Sequence, residues 1–227
     1  MSLRFSCFVT GTDTEIGKSL VSSALLHILS QRGERAIGMK PVAAGAQWRD
    51  DAWHNEDVDQ LAAASSIALP QSLTAPYLLR TPAAPHIAAA LDQVNIQPAH
   101  ILNCYQQLRT QASAIVVEGV GGFVVPLNPD YDTADLAQQL QLPVILVVGL
   151  RLGCINHALL TQQAILARGL PLMGWVANTV DPDMAFAQDN IAALKARIRT
   201  PLLGHIPRLS EPSAALAAQF IDPDLVG

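Results

Sequence analysis

Thr10-Gly11-Thr12-Asp13-Thr14-Glu15-Ile16-Gly17-Lys18-Ser19 is the stretch on which the reading of this 227-residue chain turns. It follows the apolar residues 5–9 directly and runs into a helical pattern that begins at Leu20. A strand, a glycine-bounded loop ending in Gly-Lys-Ser and then a helix is the layout of a phosphate-binding loop. Backbone N–H groups of such a loop converge with the free helix N-terminus on an anion, and Lys18 adds a mobile positive charge. Ser19 offers a hydroxyl to a magnesium ion that bridges the phosphates. A lysine that merely opens a helix would account for Lys18 alone, but not for its place between a strand and a helix. The loop departs from the usual G-x-x-x-x-G-K-[ST] in one respect. The residue five before Gly17 is Thr12, and the glycine stands one place earlier, at Gly11.

Outward from the loop, short apolar runs have the length and β-branched content of strands buried on both faces. They cover residues 5–9, 114–117, 144–149 and 172–177, with weaker runs at Ala36–Met39 and Leu202–Ile206. Between them lie helical stripes: Leu20, Leu25, Leu26 and Leu29, ending near Gly33; Ile101, Tyr105 and Leu108; Leu136 and Leu140; and Leu159, Leu160, Ala164 and Ile165. This alternation predicts an α/β fold, a P-loop NTPase-like, doubly wound parallel sheet with helices on both faces, as one domain over residues 1–227. Residues 47–81 read as an excursion, broken by Trp48, Trp53, Pro70 and Pro76, with one helix near 57–64.

Ligands of such sheets bind at the carboxyl ends of the strands, and polar residues follow the runs at those points. The 36–39 run leads into Lys40-Pro41, the 114–117 run into Glu118-Gly119, and the 144–149 run into Arg151–Asn156. The 172–177 run leads into Asn178-Thr179 and the last one into Pro207-Arg208. Glu118, beside Gly119, Gly121 and Gly122, places a carboxylate against backbone that permits close approach. Magnesium prefers oxygen ligands and keeps several waters, so one or two carboxylates with Ser19 suffice for it. A solvated glutamate at a turn is the plainer alternative. Asp50, Asp51, Glu56, Asp57 and Asp59 crowd one acidic stretch, and spacing does not choose among them. Lys40, held extended by Pro41, is placed to reach a γ-phosphate or an acidic substrate, although a surface lysine fits the pattern equally. Asn178 can both donate to and accept from an adenine edge.

Composition excludes several classes. Hydrophobic residues make up 50% of the chain and charged ones 15%, which argues for a packed globule rather than disorder. The net charge of −5 leaves no electrostatic footprint for nucleic acid or an anionic membrane. Cys7, Cys104 and Cys154 form no C-x-x-C pair and read as free thiols in a reducing compartment. No secretory signal or membrane-length apolar run is present, so a soluble cytoplasmic protein is expected. The six histidines lack metal-like spacing, and no G-x-S-x-G or Cys/His nucleophile pattern occurs.

Five segments taken in order resemble the dethiobiotin synthetase family over essentially the whole chain. They are Gly11–Ser19 with its displaced glycine, Lys40-Pro41-Val42-Ala43-Ala44-Gly45, Glu118-Gly119-Val120-Gly121-Gly122, Gly153-Cys154-Ile155-Asn156-His157 and Gly204-His205-Ile206-Pro207. The resemblance implies ring closure on 7,8-diaminopelargonate with CO₂, ATP and Mg²⁺, the penultimate step of biotin synthesis. It implies that Lys18 binds the β- and γ-phosphates and that Lys40 stabilises a carbamate and the transferring phosphoryl group. Thr14 would contact the γ-phosphate or carbamate. Ser19, Asp57 and Glu118 would hold the metal, which singles out Asp57 from its acidic neighbours. Glu15, Ile16, Gly17, Leu20, Gly119, Val120, Gly121, Asn178, Thr179, Pro207, Arg208 and Leu209 would complete the ATP site. Ala44 would face the substrate where the family commonly has a hydroxyl residue. Gly153, Cys154 and Asn156 would receive the substrate's distant carboxylate from a second subunit, which implies a homodimer.

Overall fold

The computed structural model describes residues 3–226. Six strands make the main sheet: β1 (Phe5–Gly11), β2 (Ala36–Met39), β3 (Ala114–Glu118), β4 (Val144–Leu150), β5 (Leu172–Thr179) and β6 (Leu202–Ile206). Their order is β6-β5-β4-β1-β3-β2, and every neighbouring pair is parallel.

The apolar runs form strands because both faces of this sheet are covered. Along β1, Cys7 and Val9 enter one core while Phe8 enters the other. Along β4, Ile145 and Val147 alternate in the same way with Val144, Leu146 and Val148. One face is covered by α1 (Lys18–Gln31), with Val21, Leu25, Leu26 and Leu29 in its core, and by the short helix Ala214–Ala218. The other is covered by α3 (Pro98–Gln111), α4 (Thr133–Leu140), α5 (Cys154–Ala167) and α6 (Ala187–Lys195). Each fully buried Leu, Ile, Val or Phe contributes about 1.5–3 kcal/mol against leaving it in water, so two such cores dominate the stability.

The stripes expected on α1, α3 and α4 are the buried ones, apart from half-buried Leu20. On α5 the expectation is corrected. Cys154, Ala158 and Ile165 are its buried line, Leu159 and Ala164 are half-buried, and Leu160 is 56% exposed.

The excursion after β2 holds more order than its sequence suggested. The helix α2 (Glu56–Ala64) begins one residue early, capped by the Asn55 side chain. Before it, Gln47–Arg49 and Ala52–His54 form an antiparallel hairpin whose turn residues Asp50 and Asp51 both take positive φ. Such a left-handed pair matches the natural twist of a two-residue hairpin. Trp48 and Trp53 stand opposite each other across it, ring centroids 5.4 Å apart. Val42–Ala44 pairs in parallel with Tyr77–Leu79 and closes the excursion against the sheet.

After β3 the chain crosses β1 to enter β4, so the winding reverses between β1 and β3. A ligand crevice is expected at the carboxyl ends of those two strands. Gly11 ends one and Glu118 the other. No helix among the described residues is long and apolar enough to cross a membrane.

Candidate active site

The phosphate loop leaves β1 and delivers the chain into α1 through Gly17, whose φ of 85° lies in the left-handed region. A side chain there would be strained and would also collide with the Asn178 amide. No side chain caps α1, so the first-turn N–H groups and the positive end of the helix dipole face the cleft. The displaced glycine has a steric reason of its own: a Cβ at Gly11 would come within 2.6 Å of Ile16 Cδ1.

This end of the sheet opens into a cleft of about 1300 Å³. Thr14, Glu15, Gly17, Lys18, Ser19 and Leu20 line it from the loop side. Lys40, Ala44 and Asp57 line it from the excursion, and Val120 and Gly121 from the turn after β3. Asn178, Thr179, Pro207, Arg208 and Leu209 form its far end. Ile16 and Gly119 contribute carbonyl groups behind that surface. Ile16 accepts from Asn178 Nδ2 at 2.8 Å, and Gly119 accepts from Lys40 Nζ at 3.0 Å.

At the centre, Ser19 Oγ lies 2.6 Å from Asp57 Oδ1 and 2.8 Å from Glu118 Oε1. Lys40 Nζ lies 2.6 Å from Glu118 Oε1 and 2.9 Å from Asp57 Oδ2. The acidic stretch is thereby sorted by tertiary partners. Asp50 and Asp51 make the exposed hairpin turn, Asp59 pairs with Arg49 and His54, and Asp57 faces the loop serine.

Burial by itself pulls the Lys40 ammonium down, but Glu118 and Asp57 more than offset this and hold it above the usual lysine value. Asp57 is held below the usual carboxylate value: its burial acts upward, and Lys40 and the Ser19 hydroxyl outweigh it. Lys18 has no such paired carboxylate and donates instead to the Asp13 carbonyl at 2.7 Å. Burial, and after it the charge on Lys40, bring Lys18 down to about 8.

Glu118 is fully buried, yet its Oε2 has no hydrogen-bond partner. A buried carboxylate oxygen of this kind is costly unless something binds it. With Asp57 and the Ser19 hydroxyl beside it, the donor set is all oxygen and suits magnesium. Among the described residues no cluster of three His, Cys, Asp or Glu offers an alternative.

Gly153, Cys154 and Asn156 do not line this chain's own cleft. They open α5, where Gly153 takes a φ of 94° and no side chain caps the helix. Cys154 is buried, so any ligand contact it makes runs through its backbone. Other wall residues gave no local signal. Pro82, Ala83, Ala84 and Pro85, and Ser210, Pro212, Ser213 and Ala214, run through loops into the starts of short helices without a strand-end pattern. Arg151, at the end of β4, forms an ion pair with Asp13 and ties the loop to the sheet. A basic residue following a strand that neighbours β1 was the available sign of it.

Comparison with known proteins places this geometry. A family model described as an AAA domain matches residues 6–215. The ATP-dependent dethiobiotin synthetase BioD of Janthinobacterium sp. (strain Marseille) is 59% identical over 226 residues, 98% of this chain and 96% of the relative. The chain belongs to the dethiobiotin synthetase family. The solved structures it resembles share the fold at low identity. A chain of the MinC:MinD cell division protein complex of Aquifex aeolicus gives a TM-score of 0.61 at 10% identity, covering 97% of this chain and 93% of that one. A ParA family ATPase of Chlorobium tepidum TLS gives 0.59 at 13%, covering 98% of each chain. These likenesses establish a P-loop NTPase-like parallel sheet and nothing about substrate. Within the dethiobiotin synthetase family the chain is a ligase with an ATP site.

Proposed function

We propose that this protein is an ATP-dependent cyclo-ligase that closes a ureido ring on 7,8-diaminopelargonate with CO₂, yielding dethiobiotin, ADP and phosphate, with residues 1–227 acting as one ligase domain. One observation carries the reading: Lys18, Ser19, Lys40 and Asp57 line a single cleft, and buried Glu118 meets Ser19 and Lys40 just behind that surface. Phosphoryl transfer needs positioning and neutralisation of charge more than covalent help from the protein, and two lysines with an oxygen-ligand metal supply that.

One amine of the substrate takes up CO₂ as a carbamate and loses a proton. A carbamate oxygen attacks the γ-phosphorus and ADP leaves, giving a carbamic–phosphoric anhydride. The second amine attacks the carbonyl carbon and gives up a proton, the ring closes and phosphate departs with the bond electrons. In this scheme the α1 N-terminus and Lys18 orient the β- and γ-phosphates. Lys40 neutralises the carbamate and the moving phosphoryl group, and Thr14 donates to either. Ser19, Asp57 and Glu118 would hold magnesium, which when bound would neutralise phosphate charge. Asn178, Thr179 and the Pro207–Leu209 backbone hold the base.

The substrate's distant carboxylate needs a positive partner, and the uncapped α5 N-terminus at Gly153–Asn156 offers one. It lies outside the chain's own cleft. A homodimer in which each copy lends this turn to the other completes the site. Leu152, Leu160 and Leu166, all strongly exposed along this region, suit such an interface. Three buried, free thiols fit a cytoplasmic setting.

The test is ADP release by the purified protein with diaminopelargonate and bicarbonate both present or each withheld. Turnover that needs both supports the ligase; turnover indifferent to both would sink it. A switch ATPase of the partition type is the rival, and residues 12–15 lack the early lysine usual in that class.

A further inference from the structure

Lys40 is spent. Its ammonium is 3% exposed; it donates to Glu118 Oε1 at 2.6 Å and to the Gly119 carbonyl at 3.0 Å, and lies 2.9 Å from Asp57 Oδ2 in an ion pair. Held among these three oxygens, the ammonium is not free to move to a carbamate or a phosphoryl oxygen. Two of its three partners are the carboxylates proposed to hold magnesium, so the inference rests on that reading of the site.

A magnesium ion bound by these groups needs oxygens at about 2.0–2.1 Å and near-octahedral geometry. The Ser19 hydroxyl, now shared between Asp57 Oδ1 and Glu118 Oε1, must turn a lone pair toward the metal. Glu118 Oε2 is free to bind, but both oxygens of Asp57 are engaged, one by Ser19 and one by Lys40. The metal's two charges would then sit within a few ångströms of a buried ammonium with little water to screen them.

We propose that Lys40 and the divalent cation compete for the Asp57–Glu118 carboxylate pair, so that metal loading releases Lys40 into the cleft. Lys40 is thus an internal counter-ion of the metal site as well as the lysine of the transfer step. Its two roles are exclusive in time. The carboxylates stay neutralised while the metal is away, and the ammonium becomes available for the carbamate only when the metal has taken its place.

The chain has only three lysines, Lys18, Lys40 and exposed Lys195, which makes the exchange measurable on the full-length wild-type protein. Brief acylation by dilute acetic anhydride, read by peptide mass spectrometry, reports each amine separately. Saturating Mg²⁺ without nucleotide is expected to raise Lys40 modification several-fold and to leave Lys195 unchanged. Lys40 modification that stays flat or falls under saturating Mg²⁺ overturns the proposal. In parallel, Mn²⁺ binding followed by paramagnetic resonance of the free ion is expected to tighten roughly tenfold in Lys40→Met. Weaker or unchanged Mn²⁺ binding in a folded Lys40→Met protein also overturns it. Asp57→Asn separates the two layers of the argument. If that change leaves Mn²⁺ affinity untouched, or the wild type binds no Mn²⁺, the metal site itself is misplaced and the competition falls with it.

Discussion

Asn178 donates its side-chain amide to the carbonyl of Ile16 at 2.8 Å, joining the end of β5 to the phosphate loop. Sequence alone marked the residue as a candidate base contact at a strand end. In the fold it also braces the loop just before Gly17, whose missing side chain makes room for it. Binding of inorganic triphosphate, which carries no base, therefore depends on Asn178. For Asn178→Ala we expect triphosphate affinity to fall by about 0.5–1.5 kcal/mol, the worth of one hydrogen bond. Calorimetric titration checks this. A loss confined to ATP, with triphosphate unaffected, would show that Asn178 acts on the base alone.

Asp57 and Asp59 lie two positions apart and differ completely in partners. Asp57→Asn removes a charge that faces Ser19 and Lys40, and is expected to lower Mg²⁺-dependent turnover on the order of 10- to 100-fold or more. Asp59→Asn breaks contacts to half-exposed Arg49 and His54, and is expected to change turnover little and stability by less than about 1 kcal/mol. Steady-state rates across a Mg²⁺ series, with thermal melts, separate the two.

That pair also marks how far sequence reading reached. The six strands were legible because burial on both faces writes a contiguous apolar run, as in Val144–Leu150. Lys18 and Ser19 were legible because one local motif fixes both. Asp57 was legible only through the family resemblance, since five acidic residues within ten positions look alike until the hairpin turn takes Asp50 and Asp51, Arg49 and His54 take Asp59, and Gln60 takes Glu56. The hairpin itself was hidden because Asp50-Asp51 carries none of the glycine that usually marks a left-handed turn. On α5, periodicity showed an apolar stripe but not which of its leucines finds cover within one chain. Leu160 stays exposed for that reason.

Lys18 gives the site a pH dependence of definite sign. Burial, and then the Lys40 charge, hold it at about 8, while a bound triphosphate favours the charged form and drives it back up. Above about pH 8 nucleotide binding therefore takes up a proton. Affinity is level below that pH and falls as pH rises through it, by about tenfold per unit while only the bound lysine is protonated. Calorimetry at pH 8.8 in two buffers of different ionisation enthalpy is expected to show uptake of about one proton. No uptake would mean that Lys18 is already charged in the free protein at that pH.

Ala44 offers a gain-of-function test. It is half-buried in the cleft wall and its carbonyl is fixed by Asn55 Nδ2 at 3.0 Å, so its side chain is held at the cleft without a polar atom to offer. The resemblance of segment Lys40–Gly45 to the dethiobiotin synthetase family implies a hydroxyl residue at this position, and we propose that it contacts the substrate. In Ala44→Ser the added hydroxyl has the same backbone and an open cleft before it. We expect diaminopelargonate to bind more tightly by about 0.5–1.5 kcal/mol, seen as a KM lower by up to roughly tenfold, with the KM for ATP unchanged. A KM for diaminopelargonate that does not move would show that a water already fills this role, or that the substrate passes position 44 without touching it.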